Sequence, residues 1–215
     1  MKSSPSLRRA LSRSARSLTG LSLVLLAGCH DSSSGPPTVS ADFVRHWSEI
    51  AIDASGLDHT PSNQGPAHTF GHQVGPCRAS RAMAIVHVAM FEALNAIRGE
   101  YPSAVGLVPF EGEASVRAAI AQAAHDTLAA LFPSQAYLFA DDLAATLDAV
   151  TDGSAETNGI VVGQAAAQAV LADRAGDGSA HPEQLVNTEY VCSDQPGFWR
   201  QDPVSLHPLA LGAQW

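Results

Sequence analysis

Between residues 82 and 97 only three side chains are polar, His87, Glu92 and Asn95, in a run otherwise made of Ala, Met, Ile, Val, Phe and Leu. At about 100° per residue, the helix predicted over 77–98 gathers Ser80, Arg81, His87, Glu92, Asn95 and Arg98 into an arc of roughly 140°. The rest of its circumference is apolar. Such a helix belongs inside a protein core, with one polar stripe that must find partners there. It is too short and too polar to cross a membrane. Pro76 marks its start, where a missing N–H costs nothing.

The neighbouring segments repeat the helical pattern and give little strand signal. Phe43, Trp47, Ile50 and Ala54 recur at helical spacing in "SADFVRHWSEIAIDAS", with Ser40 or Asp42 as N-cap. Three more helices are predicted near 114–131, 134–150 and 155–175, stopped by Pro133, by "TDGS" and by glycines suited to a C-cap. Their Ala and Gly content calls for close helix–helix approach, and their short connections favour antiparallel neighbours. The expected fold is therefore all-α: an antiparallel helical bundle of about five helices over 41–175, followed by a long loop segment over 176–215. That segment closes on apolar residues at Trp215 in mid-loop, which reads as a chain truncated before a further half.

The first 28 residues stand apart. Lys2, Arg8, Arg9, Arg13 and Arg16 precede the apolar run "LTGLSLVLLAG", a basic region and short apolar core that read as an export signal. The run ends in Leu26-Ala27-Gly28-Cys29, which looks like a bacterial lipobox with Cys29 as the lipidation site. The stretch "HDSSSGPPT" then supplies a flexible tether over 30–40. The expected location is the cell envelope, on a membrane reached through the lipid anchor.

Beyond the signal, seven arginines face 21 acidic residues, a net of −14, and no lysine follows Lys2. Such a surface repels nucleic acid. Cys77 and Cys192 remain, and export makes a disulfide between them the expected state, with two buried thiols as the alternative. Neither belongs to a CxxC pair, which argues against redox catalysis and a zinc site. A metal-binding bundle lacks Glu-x-x-His. His59, His68 and His72 lie in a loop with glycines and a proline, where four-residue spacing does not converge on one ion.

"SRAMAIVH" resembles the last signature segment of the type 2 phosphatidic acid phosphatases and vanadium haloperoxidases, in which an arginine clamps an oxyanion and a histidine attacks phosphorus or binds vanadate. One helix cannot supply that chemistry. The family's lysine segment and its Pro-Ser-Gly-His segment are absent, and Phe91 stands where an aspartate is expected. The three-residue match is read as accidental.

A broader resemblance runs through "RAMAIVHVAMFEALNAIRGEY", "AIAQAAHDTLAALFPSQ", "GIVVGQAAAQAVLADRAGDGS" and "PGFWRQDPVSLHPLALGAQW". These segments, in this order, resemble the N-terminal half of bacterial vanadium-dependent haloperoxidase-like proteins, departing at Glu92, where aspartate is usual, and at Cys77. The resemblance implies a helical half whose catalytic partner half carries every anion-binding residue. It assigns no catalytic, cofactor-binding or metal-binding residue here; vanadate belongs to a full-length protein. Arg81, His87, Glu92 and Asn95 are then structural, and Arg200 beside Trp199 a packing and hydrogen-bonding residue. The alternative is a complete non-catalytic helical lipoprotein acting as an interaction module.

Overall fold

The computed structural model describes residues 41–213. The expected signal peptide over 1–29, the expected lipidation site Cys29 and the expected tether over 30–40 lie outside the described residues. Among these residues there are five α-helices: α1 (Ala41–Asp58), α2 (Pro76–Arg98), α3 (Val116–Leu131), α4 (Ala136–Asp148) and α5 (Ser154–Arg174). The fold is all-α. Among the described residues the only β pairing consists of two isolated bridges, Leu185 with Leu209 and Val186 with Tyr190.

α3 is the centre of the bundle and touches all four other helices. Its sequence explains why: Ala118, Ala119, Ala121, Ala123 and Ala124 are all buried, together with Ile120 and Leu128. Small apolar residues on most of its circumference let neighbouring helices close in, leaving only Arg117 and Ala130 exposed. Ser115 starts it by accepting the N–H of Ala118 on its side-chain oxygen at 3.3 Å, an N-cap that satisfies one orphan donor. Pro133–Gln135 form a single 3-10 turn, so α4 begins two residues later than the expected boundary.

The closest helix pair is α3 with α5. Gly159 lies against the Ser115 carbonyl and Gly163 against the Ala119 carbonyl, so the two chains advance in step and run parallel. α4 between them reverses direction, as its short connections require. α2 runs opposite to α5, since Arg81 near its start meets Arg174 at the end of α5. α5 itself ends on Ala175 in right-handed conformation; the glycine C-cap expected there is absent, and the first left-handed glycine is Gly178 at φ 85°. α2 does end on such a cap, with Gly99 at φ 65° donating to Asn95 O.

α1 covers α2 and α3 through Phe43, Trp47, Ala51 and Ala54. It ends on Asp58, a fully buried carboxylate that accepts the backbone N–H groups of His72 and Gln73, each at 2.8 Å. Two charge-assisted bonds offset its desolvation and fold the long α1–α2 connection back onto the helix end.

The segment after α5 is irregular but docked. The Leu185–Leu209 bridge closes a loop, Trp199 donates to Leu211 O at 3.2 Å, and its ring meets Tyr190 edge-on at 5.4 Å. Cys77 and Cys192 are free thiols here, so the expected disulfide is not formed in the structure. The two sit in different surroundings: Cys77 packs against Gly212, whereas Cys192 lines a surface recess with Asn187, Asp194 and Arg200. No helix among the described residues is long and apolar enough to cross a membrane.

Candidate functional site

The polar stripe of α2 is the main sequence-derived candidate, and Ser80, Arg81, His87, Glu92 and Asn95 each meet a neighbouring group. Ser80 Oγ donates to Cys77 O in its own helix at 3.0 Å. Arg81 donates from Nε to Asp177 Oδ2 at 2.7 Å and from Nη2 to Arg174 O at 2.9 Å. His87 Nδ1 donates to Met83 O at 2.8 Å, and its Nε2 lies 3.2 Å from Ser48 Oγ on α1. Glu92 is fully buried and accepts Ser103 Oγ–H and Ala104 N–H, both at 2.7 Å. Asn95 accepts the N–H of Tyr101 at 2.9 Å and donates to its carbonyl at 2.8 Å.

Arg81 and His87 are therefore not a pair. Six residues of helix separate them by about 9 Å along the axis. One side chain turns to the end of α5 and the other to α1. An oxyanion seated by Arg81 would have to displace a carboxylate already hydrogen-bonded to the same guanidinium. The residues present do not fit vanadate or phosphate.

The Arg81–Asp177 contact has an electrostatic signature. The Arg81 hydrogen bond holds the Asp177 carboxyl down to about 2, with the Ser179 hydroxyl and N–H adding to the effect. A depressed carboxylate pKa contributes stability above its unfolded value of 3.8, and that contribution is lost as pH falls through about 2. Acidification from neutral pH to about 2 is therefore expected to release residues 176–183 before the helices melt, read as faster amide exchange there. Asp177→Asn should abolish this early step; its persistence in that variant would show that another group controls it.

Arg78, outside the stripe, does related work. Its Nη2 donates to His181 O, and its Nε lies 3.5 Å from Glu183 Oε1, an ion-pair contact. Glu183 Oε2 in turn accepts the N–H of Gly212 at 3.3 Å. Two arginines three residues apart on α2 thus hold the segment that follows α5. The signal lay in that spacing, but nothing in the sequence pairs it with residues a hundred positions later.

The loop histidines are held separately. His59 Nδ1 bonds Ser55 O, and its Nε2 accepts the N–H of Gly75. His68 has Pro66 O and Thr60 O at 2.8 Å on its two nitrogens, and those carbonyls, Pro66 first, raise its pKa. His72 Nε2 meets Ser134 Oγ at 3.2 Å. Among the described residues no three His, Cys, Asp or Glu side chains are grouped to hold a metal. Arg200, expected to pack and hydrogen-bond, is exposed and lines the Cys192 recess, with no ion pair among the described residues. Trp199 carries the packing instead.

No family model, curated protein or solved structure matches this chain.

Proposed function

We propose that this chain is the N-terminal structural half of a vanadium-dependent haloperoxidase-like or acid-phosphatase-like protein. It is inactive alone and works with a catalytic half that supplies the anion-binding residues. On this reading it is exported and anchored to a membrane through lipidated Cys29. The observation that supports it is the use of the α2 stripe: Arg81, His87, Glu92 and Asn95 each hold a neighbouring piece of backbone or side chain. Oxyanion chemistry needs several cations converging on one point. The mature sequence has no lysine, and its two nearest arginines on α2 are committed to carboxylates.

The test uses the purified chain with orthovanadate, followed by vanadium NMR, alongside assays for bromide-dependent peroxidation and for hydrolysis of p-nitrophenyl phosphate. The expected result is free-vanadate signal only and no turnover above buffer. A saturable bound signal that disappears in Arg81→Ala, or either activity, would overturn the assignment.

A further inference from the structure

The histidines between α1 and α2 meet three different kinds of partner. His59 Nε2 accepts the N–H of Gly75 at 3.3 Å, a bond that uses the neutral ring. His72 Nε2 lies 3.2 Å from the Ser134 hydroxyl, which can give or take a hydrogen and so holds either form of the ring. His68 differs from both. Its Nδ1 lies 2.8 Å from Pro66 O and its Nε2 2.8 Å from Thr60 O. A carbonyl oxygen only accepts, and a neutral imidazole carries a single N–H. Either neutral tautomer therefore turns a lone pair toward one of the two carbonyls. Only the imidazolium donates to both.

Around this contact the Gln64 N–H bonds Pro61 O at 2.9 Å, and the Phe70 N–H bonds Ser62 Oγ at 3.0 Å. Two further bonds dock the turn: Ser134 Oγ accepts the Thr69 N–H at 2.9 Å, and Tyr137 of α4 donates its hydroxyl to Ala67 O at 3.2 Å. The charges facing the turn are negative. The buried Asp58 carboxylate at the end of α1 attracts the His68 ring. Asp53 of α1 and Asp142 of α4 line the recess that Pro66 borders, and that lining contains no arginine or lysine.

We propose that His68 is a proton-operated clasp: its imidazolium ties Thr60 to Pro66 and keeps the α1–α2 connection closed, and loss of one proton opens the turn. Pro66 then leaves the wall it shares with Leu57 and Leu138, and the recess between α1 and α4 widens. The same two carbonyls, Pro66 first, raise the His68 pKa above its ordinary 6.5. A raised pKa contributes stability that is fully present below 6.5 and is lost as pH rises through the folded-state value. Closure is the acidic state and opening the alkaline one. The inference is independent of the haloperoxidase-like reading, since none of these residues belongs to the α2 stripe.

The test is an NMR titration of the full chain from about pH 5.5 to about pH 9. The imidazole nitrogen shifts of His68 are expected to show both nitrogens protonated at the acidic end, with a midpoint above 6.5. Amide protection at Gln64, Thr69 and Phe70, corrected for intrinsic exchange, should fall about threefold or more with that same midpoint. His72 and Gln73, whose N–H groups are held by the Asp58 carboxylate, should keep theirs. His68→Ala should show the low protection at every pH, whereas His72→Gln should retain the step. A His68 midpoint at or below 6.5, loop protection that ignores the His68 titration, or a step that survives in His68→Ala would each overturn the proposal.

Discussion

Gly163→Ala is expected to destabilise the bundle by about 1–3 kcal/mol, although alanine is ordinarily the better helix former. A Cβ built on Gly163 would lie 2.4 Å from Ala119 O, 2.7 Å from Gln122 Cβ and 3.0 Å from Ala123 N. Two of those atoms belong to the backbone of α3 and cannot rotate away. The helices must separate, opening space beside Val162, Ala166 and Val170 along the same face of α5. Against this stands a propensity gain of about 1 kcal/mol for replacing glycine within a helix. The clash wins because it acts on a rigid helix pair, where overpacking forces a shift of many contacts at once.

Gly163→Val should cost roughly 4 kcal/mol, at the upper end of what single changes do. Gly56→Ala is the control. That glycine is helical too, but a Cβ there meets nothing within 4 Å. It should be neutral or stabilising by up to about 1 kcal/mol. Urea unfolding of the three variants checks the order, and a Gly163→Ala protein as stable as its parent would refute the close α3–α5 approach.

Glu92→Ala should cost about 2–4 kcal/mol, and Glu92→Gln somewhat less, by loosening one loop rather than the whole bundle. The carboxylate is fully buried, yet it receives a hydroxyl and a backbone N–H at 2.7 Å each. Its role extends one step further. Ser103 Oγ, which donates to Glu92, also accepts the N–H of Leu107 at 2.8 Å and that of Val105 at 3.3 Å. An acceptor at position 92 thus orients the hydroxyl that organises the loop after α2.

Glutamine keeps the size but replaces one acceptor oxygen with an NH2 group, which either faces the Ala104 N–H or competes with the N–H groups of Val105 and Leu107 for Ser103 Oγ. Amide exchange should accelerate at Ala104, Val105 and Leu107 in both variants, while the α3–α5 interface stays protected. If those amides keep their protection, Glu92 does not organise the loop.

Much of the architecture was legible because helix periodicity is a local property. The apolar face of α2, the stop at Pro133, and the small residues of α5 each follow from residues within a turn or two of one another. The resemblance of "SRAMAIVH" to an oxyanion site shows the limit of that reasoning. Ser80, Arg81 and His87 share an arc on the helix wheel, yet α5 and α1 divide them, since a wheel records direction and not neighbours. Asp58 illustrates the same limit: it lies beyond the helix expected from "SADFVRHWSEIAIDAS", and only the returning loop, fourteen residues on, makes it a buried anchor.

What the sequence determined by itself was the set of helices and the fact that α2 would carry a polar stripe needing satisfaction. Those outcomes depend on backbone hydrogen bonds and side-chain periods of a few residues. What only the tertiary structure decided was which partners satisfied the stripe, and that Gln135 keeps an unmatched buried oxygen. Partnership across long separations is set by how rigid helices fit together, and that fit is a property of the assembled volume.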